Sequence, residues 1–258
     1  MTTWNSAQYL KFANERTQPS IDLAARVALD TPQRIVDLGC GPGNSTAIVA
    51  RRWPGAAVTG LDNSAAMLAT ARRDHPQWSW RESDIAAWAE TTTEQFDVIF
   101  SNAALHWVPD HACLIPRLLD AVAPGGALAF QMPHSLADPH QRCMRELPAS
   151  AKWRARFPAT PAAWQVEPAG FYYDALAPRA VRVDLWFTEY LMVFDGPDQI
   201  VEWHRGAALH PFLQLLPEEA MRAEFLRDYL AAIIPHYPRQ TDSKVILPFR
   251  RLFVIAYR

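Results

Sequence analysis

The sequence has few cysteines, almost no lysine and no long apolar run. Its three cysteines, Cys40, Cys113 and Cys143, have neither CxxC nor metal-ligand spacing, which fits a reducing cytoplasm and predicts no metal site. No uninterrupted apolar run approaches the ~20 residues needed to cross a bilayer. The opening MTTWNSAQYL lacks the basic and apolar regions of a secretory signal. We therefore expect a soluble, cytoplasmic protein.

Excess charge of either sign is also missing. The formal net charge of the 258 residues is −2, so no overall field draws the protein towards nucleic acid or an anionic membrane. Half of the residues are apolar and 20% are charged, which is typical of a globular protein with a large core. We expect one domain spanning residues 1–258, with no nucleic-acid, membrane or obligatory protein partner.

Short apolar runs alternate with helical stretches between residues 34 and 132. This alternation predicts a parallel sheet with helices on both faces, an α/β fold. The predicted strands are Arg34–Leu38, Ala57–Leu61, Trp78–Glu82, Asp97–Ser101 and Ala127–Met132. The predicted helices are Asn44–Trp53, Ser64–Asp74, Ile85–Glu90 and Asp110–Val122.

The stretch IVDLGCGPGNST, residues 35 to 46, combines a strand end with a bare backbone. It is not a dinucleotide fingerprint, because Asn44 stands where the third glycine of GxGxxG would be. It is not a P-loop either, because no lysine follows Gly43. Three alternating glycines after Asp37 indicate a loop that lies against a ligand.

Further polar residues follow the other strands, where parallel sheets bind ligands. Asp62 ends the second strand, and its carboxylate is placed to accept both hydroxyls of a ribose. Asp84 follows the third strand, where it can accept the exocyclic amine of an adenine that packs on Ile85. Asn102 and Gln131 end the fourth and fifth strands. The pattern predicts a pocket that binds a nucleoside.

In chain order, the motifs VDLGCGPGNST, GLDNS, SDIAAW, FDVIFSNAALHW and PGGALAFQMP resemble those of the class I S-adenosylmethionine-dependent methyltransferases. The resemblance implies a Rossmann-like, mostly parallel sheet of seven strands whose last strand, within residues 245–258, is antiparallel and lies beside residues 181–194. It also implies S-adenosyl-L-methionine as cofactor, with residues 1–30 as a lid. The implied cofactor-binding residues are Tyr9, Arg16, Asp37, Gly39, Gly41, Asp62, Asn63, Asp84, Ile85 and Asn102.

Two segments, 133–180 and 197–240, are predicted to be largely helical and to cover the substrate. The stretches WNSAQYLKFANERTQP, VEWHRGAALHPFL and LPFRRLFVIA resemble a narrower group, the carboxyl methyltransferases of small polycarboxylic acids. What this implies is methyl transfer to one carboxylate of a small polycarboxylate, trans-aconitate, giving a monomethyl ester. The candidate substrate-binding residues are His106, Trp107, His134, Tyr172, Tyr173, Trp203, His204 and Arg205.

A carboxylate acceptor is already ionised at neutral pH, so we predict no catalytic base and a reaction driven by proximity and orientation. A carrier-bound malonyl acceptor and a non-catalytic S-adenosylmethionine-binding module remain alternatives. A nicotinamide dehydrogenase is disfavoured by Asn44. A nucleic-acid methyltransferase is disfavoured because SNAALHW, without an (N/D)PP(Y/F) motif, follows the fourth strand.

Overall fold

The computed structural model describes residues 13–157 and 164–258, with side chains from residue 17 onwards. Tyr9 and the side chain of Arg16 lie outside the described residues. The chain divides into two compact units. The first unit comprises the described parts of Met1–Pro133, Gln165–Thr188 and Arg251–Arg258, and the second comprises those of His134–Trp164 and Glu189–Arg250.

Seven strands form one sheet in the order β3-β2-β1-β4-β5-β7-β6. The strands are β1 Arg34–Leu38, β2 Ala57–Asp62, β3 Ser79–Glu82, β4 Phe96–Asn102, β5 Val122–Pro133, β6 Arg182–Phe194 and β7 Val245–Tyr257. Neighbours among β1 to β5 are parallel, whereas β7 pairs antiparallel with β5, with Leu128 opposite Ala256. The predicted seven-stranded sheet with an antiparallel last strand is confirmed.

Ten α-helices lie within the described residues. They are α1 Ala13–Arg26, α2 Asn44–Arg52, α3 Ala65–Asp74, α4 Ile85–Thr91, α5 His111–Asp120, α6 Pro139–Glu146, α7 Ala169–Leu176, α8 Pro197–Arg205, α9 His210–Gln214 and α10 Glu219–Ile233. Three of them begin at caps that the sequence supplies, because side chains of Ser64, Asp84 and Asp110 accept backbone N–H groups of the first turn. None of these helices is long and apolar enough to cross a membrane.

The core of the first unit is continuous and apolar. Val36, Ile99, Leu128 and Val254, from four strands of the sheet, are at most 1% exposed. Strands buried on both faces are nearly unbroken apolar runs, which is why these segments were readable as strands. The core therefore fixes the strands whose carboxyl ends carry the polar residues.

The second unit is built around aromatic rings. Trp153 and Phe225 meet edge to face with ring centroids 5.1 Å apart, and Nε1 of Trp153 donates to Asp228 at 2.7 Å. His140 stacks on His204 with centroids 4.9 Å apart. The unit contains α6, α8, α9 and α10, so helices dominate residues 197–240 as predicted.

The predicted covering segment 133–180 is split between the units. Its part from Gln165 onwards belongs to the first unit, where α7 buries Tyr172 and Leu176 in the core. The composition of the segment and its lack of strand alternation predict a largely helical insertion, but they give no sign of which core the apolar face of α7 joins.

Candidate active site

The polar strand ends of the first unit meet at one edge of the sheet. β1 is followed by Gly39, β2 ends at Asp62, β3 is followed by Asp84, and β4 ends at Asn102. All four strands are parallel, so their carboxyl ends share one edge, which is where open α/β sheets bind ligands.

The loop between β1 and α2 needs its glycines for two different reasons. Gly39, Gly41 and Gly43 have φ angles of 70°, 55° and 98°, a left-handed region that glycine adopts without strain. A Cβ on Gly39 would lie 2.2 Å from Cβ of Ala104, whereas a Cβ on Gly41 would meet no atom within 4 Å. Gly39 thus permits close packing within the protein, and Gly41 leaves its backbone open to a ligand.

Asp37 lies beneath this loop and is fully buried. Its Oδ2 accepts hydrogen bonds from the hydroxyls of Ser45 and Thr46, at 2.6 and 2.7 Å, which ties β1 to the first turn of α2. Its Oδ1 is buried and accepts from no group in the described part of the chain. Burial raises the pKa of Asp37 to about 7, against the lowering by the two hydroxyls. The unpartnered oxygen suits a cation such as the ammonium of a methionyl group.

Asp62 braces the same loop from the end of β2. Its Oδ2 accepts from Gly41 N at 2.9 Å and its Oδ1 from Ser64 N at 2.8 Å. Burial raises its pKa above the usual range, although these backbone donors pull it down. Each carboxylate oxygen has a second lone pair, so the group can still accept from ribose hydroxyls. Asn63, the next residue, is exposed.

The third strand end offers a polar and an apolar surface side by side. Asp84 is exposed, and its Oδ1 caps α4 by accepting from Ala87 N at 3.0 Å. Ile85 is 8% exposed, and its Cδ1 lies 3.7 Å from where a Cβ of Gly39 would be. The apolar side chain of Ile85 therefore reaches the glycine loop, and its contact with an adenine ring stays a prediction.

A cleft of about 330 Å³, counting space open to solvent, runs along the loop. Its lining includes Gly39, Asn44 and Asn102, together with Thr17 and Ser20 from α1. Sequence reasoning named Tyr9 and Arg16 on this N-terminal segment and missed Thr17 and Ser20. Their spacing of three residues, which places two hydroxyls on one helix face, was the available signal.

The comparisons with known proteins agree with this geometry. A family model described as a methyltransferase domain matches residues 35–126. The chain is 48% identical to a trans-aconitate 2-methyltransferase of Azoarcus sp., covering 100% of both chains. It is also 48% identical to one of Methylobacterium nodulans, covering 100% of this chain and 99% of the other.

The chain belongs to the trans-aconitate 2-methyltransferase family. Among solved structures, the YcgJ protein from Bacillus subtilis aligns with a TM-score of 0.61 at 13% identity, covering 93% of this chain and 98% of that one, a likeness that concerns the fold. The predictions of the class I methyltransferase family and its fold are confirmed. S-adenosylmethionine, the predicted cofactor, is the methyl donor in this family, and the orphaned Asp37 oxygen and open Gly41 backbone fit it.

Four of the residues predicted for the substrate of this methyltransferase lie in the first unit. His106 is 3% exposed, and its pKa is well below the usual range because of burial and the nearby charges of Arg251 and His111. Trp107 follows it, with ring centroids 5.0 Å apart. Tyr172 is fully buried and its hydroxyl bonds His111 at 2.8 Å, whereas Tyr173 is 50% exposed.

The other four lie in the second unit. Trp203 and His204 are at most 4% exposed and belong to its aromatic interior, and His134 is partly exposed. Arg205 is 45% exposed and pairs with Glu202 on its own helix at 3.3 Å. The structure therefore divides the predicted substrate residues between two units, and their role in holding substrate stays a prediction.

Proposed function

We propose that the protein transfers the methyl group of S-adenosylmethionine to a carboxylate of trans-aconitate, giving a monomethyl ester. The observation that carries this proposal is identity of 48% along the full length of a trans-aconitate 2-methyltransferase. The strand-end polar groups of the first unit support it, because they suit each part of the methyl donor.

The proposed cofactor contacts follow from the hydrogen-bond donors and acceptors at the strand ends. Oδ1 of Asp37 accepts from the ammonium group, and the open backbone at Gly41 lies along the methionyl chain. Asp62 accepts from the ribose hydroxyls, while Asp84 and Ile85 bind the adenine by its amine and its ring face. When bound, the cofactor supplies an electrophilic methyl group on a positively charged sulfur.

The acceptor needs alignment rather than activation. A carboxylate is ionised at neutral pH, so one of its oxygens is already a nucleophile and no proton has to move before transfer. His106 is buried with a lowered pKa, so it is neutral at pH 7 and serves as a hydrogen-bonding group in this proposal. The work of the site is to exclude water and to orient an oxygen towards the methyl carbon.

The test is a methyl-transfer assay with purified protein and S-adenosylmethionine, with products identified by mass. The acceptor panel contains trans-aconitate, cis-aconitate, citrate and a malonyl thioester. We expect a monomethyl ester of trans-aconitate as the main product. Preferential methylation of the malonyl thioester would replace the proposed acceptor, and no methylated product at all would contradict an enzymatic role.

A pair of variants tests the cofactor site independently of the methyl acceptor. Asp62→Ala removes the carboxylate that would accept hydrogen bonds from the two ribose hydroxyls, and each such charge-assisted bond contributes ~1.5–3 kcal/mol. We expect the affinity for S-adenosylhomocysteine to fall at least tenfold. Asp74→Ala, which changes an exposed acid paired with Arg73, should leave that affinity unchanged.

A further inference from the structure

Three side chains form a hydrogen-bonded row that ends at the cleft. The guanidinium of Arg251, on a residue that is 4% exposed, donates to Oε1 of Gln131 at 3.0 Å. Gln131 is fully buried, and its Nε2 donates to Oδ1 of Asn102. Asn102 is partly exposed and lines the cleft beside the glycine loop. The row therefore connects β7, β5 and β4 to the candidate site.

Backbone register holds the row in place. Asn102 and Gln131 are partners across β4 and β5, and the N–H of Ala103 donates to the carbonyl of Gln131 at 3.0 Å. Arg251 pairs with Pro133 across β5 and β7, two residues along the strand from Gln131 and on the same face. The three side chains meet because sheet pairing places them there.

The direction of each hydrogen bond in the row is set by chemistry. Arginine donates and never accepts, so the oxygen of the Gln131 amide has to face Arg251. The Gln131 nitrogen then faces Asn102, and the Asn102 oxygen has to accept from it. This reasoning does not depend on how the amide atoms are assigned. The Nδ2 group of Asn102, with its two N–H donors, is therefore left to face the cleft.

The charge of Arg251 favours the same kind of ligand. The guanidinium is positive and buried, where its field is screened less than at a surface. It also acts on His106, four residues after the end of β4, whose pKa it helps to lower. A pair of N–H donors close to a buried cation suits an oxygen anion. Within the described residues, Nδ2 of Asn102 donates to no protein group.

We propose that Arg251 and Gln131 are positioning residues that turn the amide of Asn102 so that its N–H donors bind a carboxylate in the cleft. This proposal rests on the proposed function, which supplies carboxylates from two molecules. The cofactor carries one at its methionyl end, and the acceptor acid carries the others.

Gln131→Glu tests the direction of the row with almost no change in shape. Glutamate only accepts, so it would accept from Arg251 and also from Nδ2 of Asn102, which would turn the Asn102 oxygen towards the cleft. We expect at least a tenfold rise either in the calorimetric Kd for S-adenosylhomocysteine or in KM for trans-aconitate. A rise in Kd assigns the carboxylate to the cofactor, and a rise in KM with constant Kd assigns it to the acceptor.

A second variant covers the case in which Gln131→Glu does not fold. Asn102→Asp, at a partly exposed position, still accepts from Gln131 but presents no donor, so it should show the same loss. Gln33→Glu makes the same change at an exposed site and should alter neither constant. Unchanged Kd and KM in folded Gln131→Glu and Asn102→Asp would overturn the proposal. If the wild type methylates no polycarboxylate, the proposed function fails. The affinity of the variants for S-adenosylhomocysteine then tests the proposed role of the row by itself.

Discussion

The two compact units hold their polar groups in different ways. At the strand edge of the first unit, Asp37 and Asn102 are each held by protein partners on one side and keep a polar atom for something else. In the second unit, Nδ1 of His140 bonds the hydroxyl of Tyr237 and its ring stacks on His204, while its buried Nε2 meets no hydrogen-bond partner within the described residues. An incomplete polar group indicates a ligand where it lies at the carboxyl edge of a parallel sheet, whereas the incomplete nitrogen of His140 lies among the aromatic rings of a core.

Each unit also contains a buried group whose pKa is shifted, and the two shifts are opposite in direction. Asp37 is a buried acid whose pKa is raised to about 7, and His140 is a buried base whose pKa is lowered to about 3. Burial is the largest cause of both shifts, because it disfavours the charged form. The two groups consequently make folding depend on pH in opposite directions.

The largest expected effect is that of Gly39→Ala, which distorts the loop between β1 and α2 in the first unit. The new Cβ would overlap Ala104 and hold a φ of 70°, at a cost of about 3 kcal/mol or more. We expect S-adenosylhomocysteine binding to fall at least a hundredfold and the melting temperature to drop. Gly170→Ala is the control, since its Cβ would meet nothing within 4 Å at the start of α7. Binding within threefold of wild type in Gly39→Ala would show that the loop tolerates a side chain.

Asp37→Asn should separate binding from stability. An acid with a raised pKa contributes stability that is present below its unfolded pKa, 3.8, and is lost as pH rises through about 7. The neutral amide removes that loss, so we expect a higher melting temperature than wild type at pH 8.5 without ligand. Affinity for S-adenosylhomocysteine at that pH should fall at least tenfold, because the ammonium loses its anion.

The same pair of proteins at pH 5 provides the control for Asp37→Asn. Asp37 is protonated there in the wild type, so the difference in melting temperature should shrink. A stability difference that is constant from pH 5 to 8.5 would count against a titrating Asp37.

The second unit should respond to acid through His140. A base with a lowered pKa contributes stability that is present above its unfolded pKa, about 6.5, and is lost as pH falls towards about 3. The free energy of unfolding should decrease by up to about 1.4 kcal/mol per pH unit in that window. Denaturant titrations at several pH values from 4 to 7 should show that the free energy of unfolding changes less with pH in His140→Gln than in the wild type. His236→Gln, at an exposed histidine, is the matched variant and should keep the pH dependence of the wild type.

The smallest effect is expected for Arg205→Lys on α8. The guanidinium is 45% exposed and already paired with Glu202, and exposed ion pairs of this kind are weak. We expect KM for trans-aconitate to rise less than fivefold, with Kd for S-adenosylhomocysteine unchanged. A tenfold or larger rise in KM would instead place the planar fork of Arg205 directly on a substrate carboxylate.

The sequence predicted strands and helix starts well because local chemistry determines them. The predicted Arg34–Leu38 strand is found with the same bounds, and the helix predicted from Ser64 begins at Ala65 with the Ser64 hydroxyl as its cap, since an apolar run and a hydroxyl before a helix act over a few residues. Asp62 and Asp84 were recognisable because strand ends of a parallel sheet always share an edge.

Residues whose role depends on distant contacts were harder to assign. Tyr172, which is predicted to hold substrate, bonds His111 on another helix, a contact that no local pattern in the sequence indicates. The sequence places Gln131 at the end of a strand and Arg251 within another, and nothing in it indicates that they meet. Only β5–β7 pairing brings these two together. Long-range pairing of polar side chains leaves no local pattern in a sequence.

The hydrogen bond from Gly41 N to Asp62 Oδ2 has a practical consequence for redesign. One carboxylate supports the loop along the proposed methionyl end while it is also the proposed ligand of the sugar. Enlarging the sugar site for a synthetic donor by removing Asp62 would therefore loosen the opposite half of the pocket. Asp84 bonds within its own helix, at Ala87. Donor analogues with a modified exocyclic amine are accordingly the better starting point for engineering, because Asp84 can be replaced without removing a hydrogen bond to the glycine loop, whereas Ile85 reaches that loop.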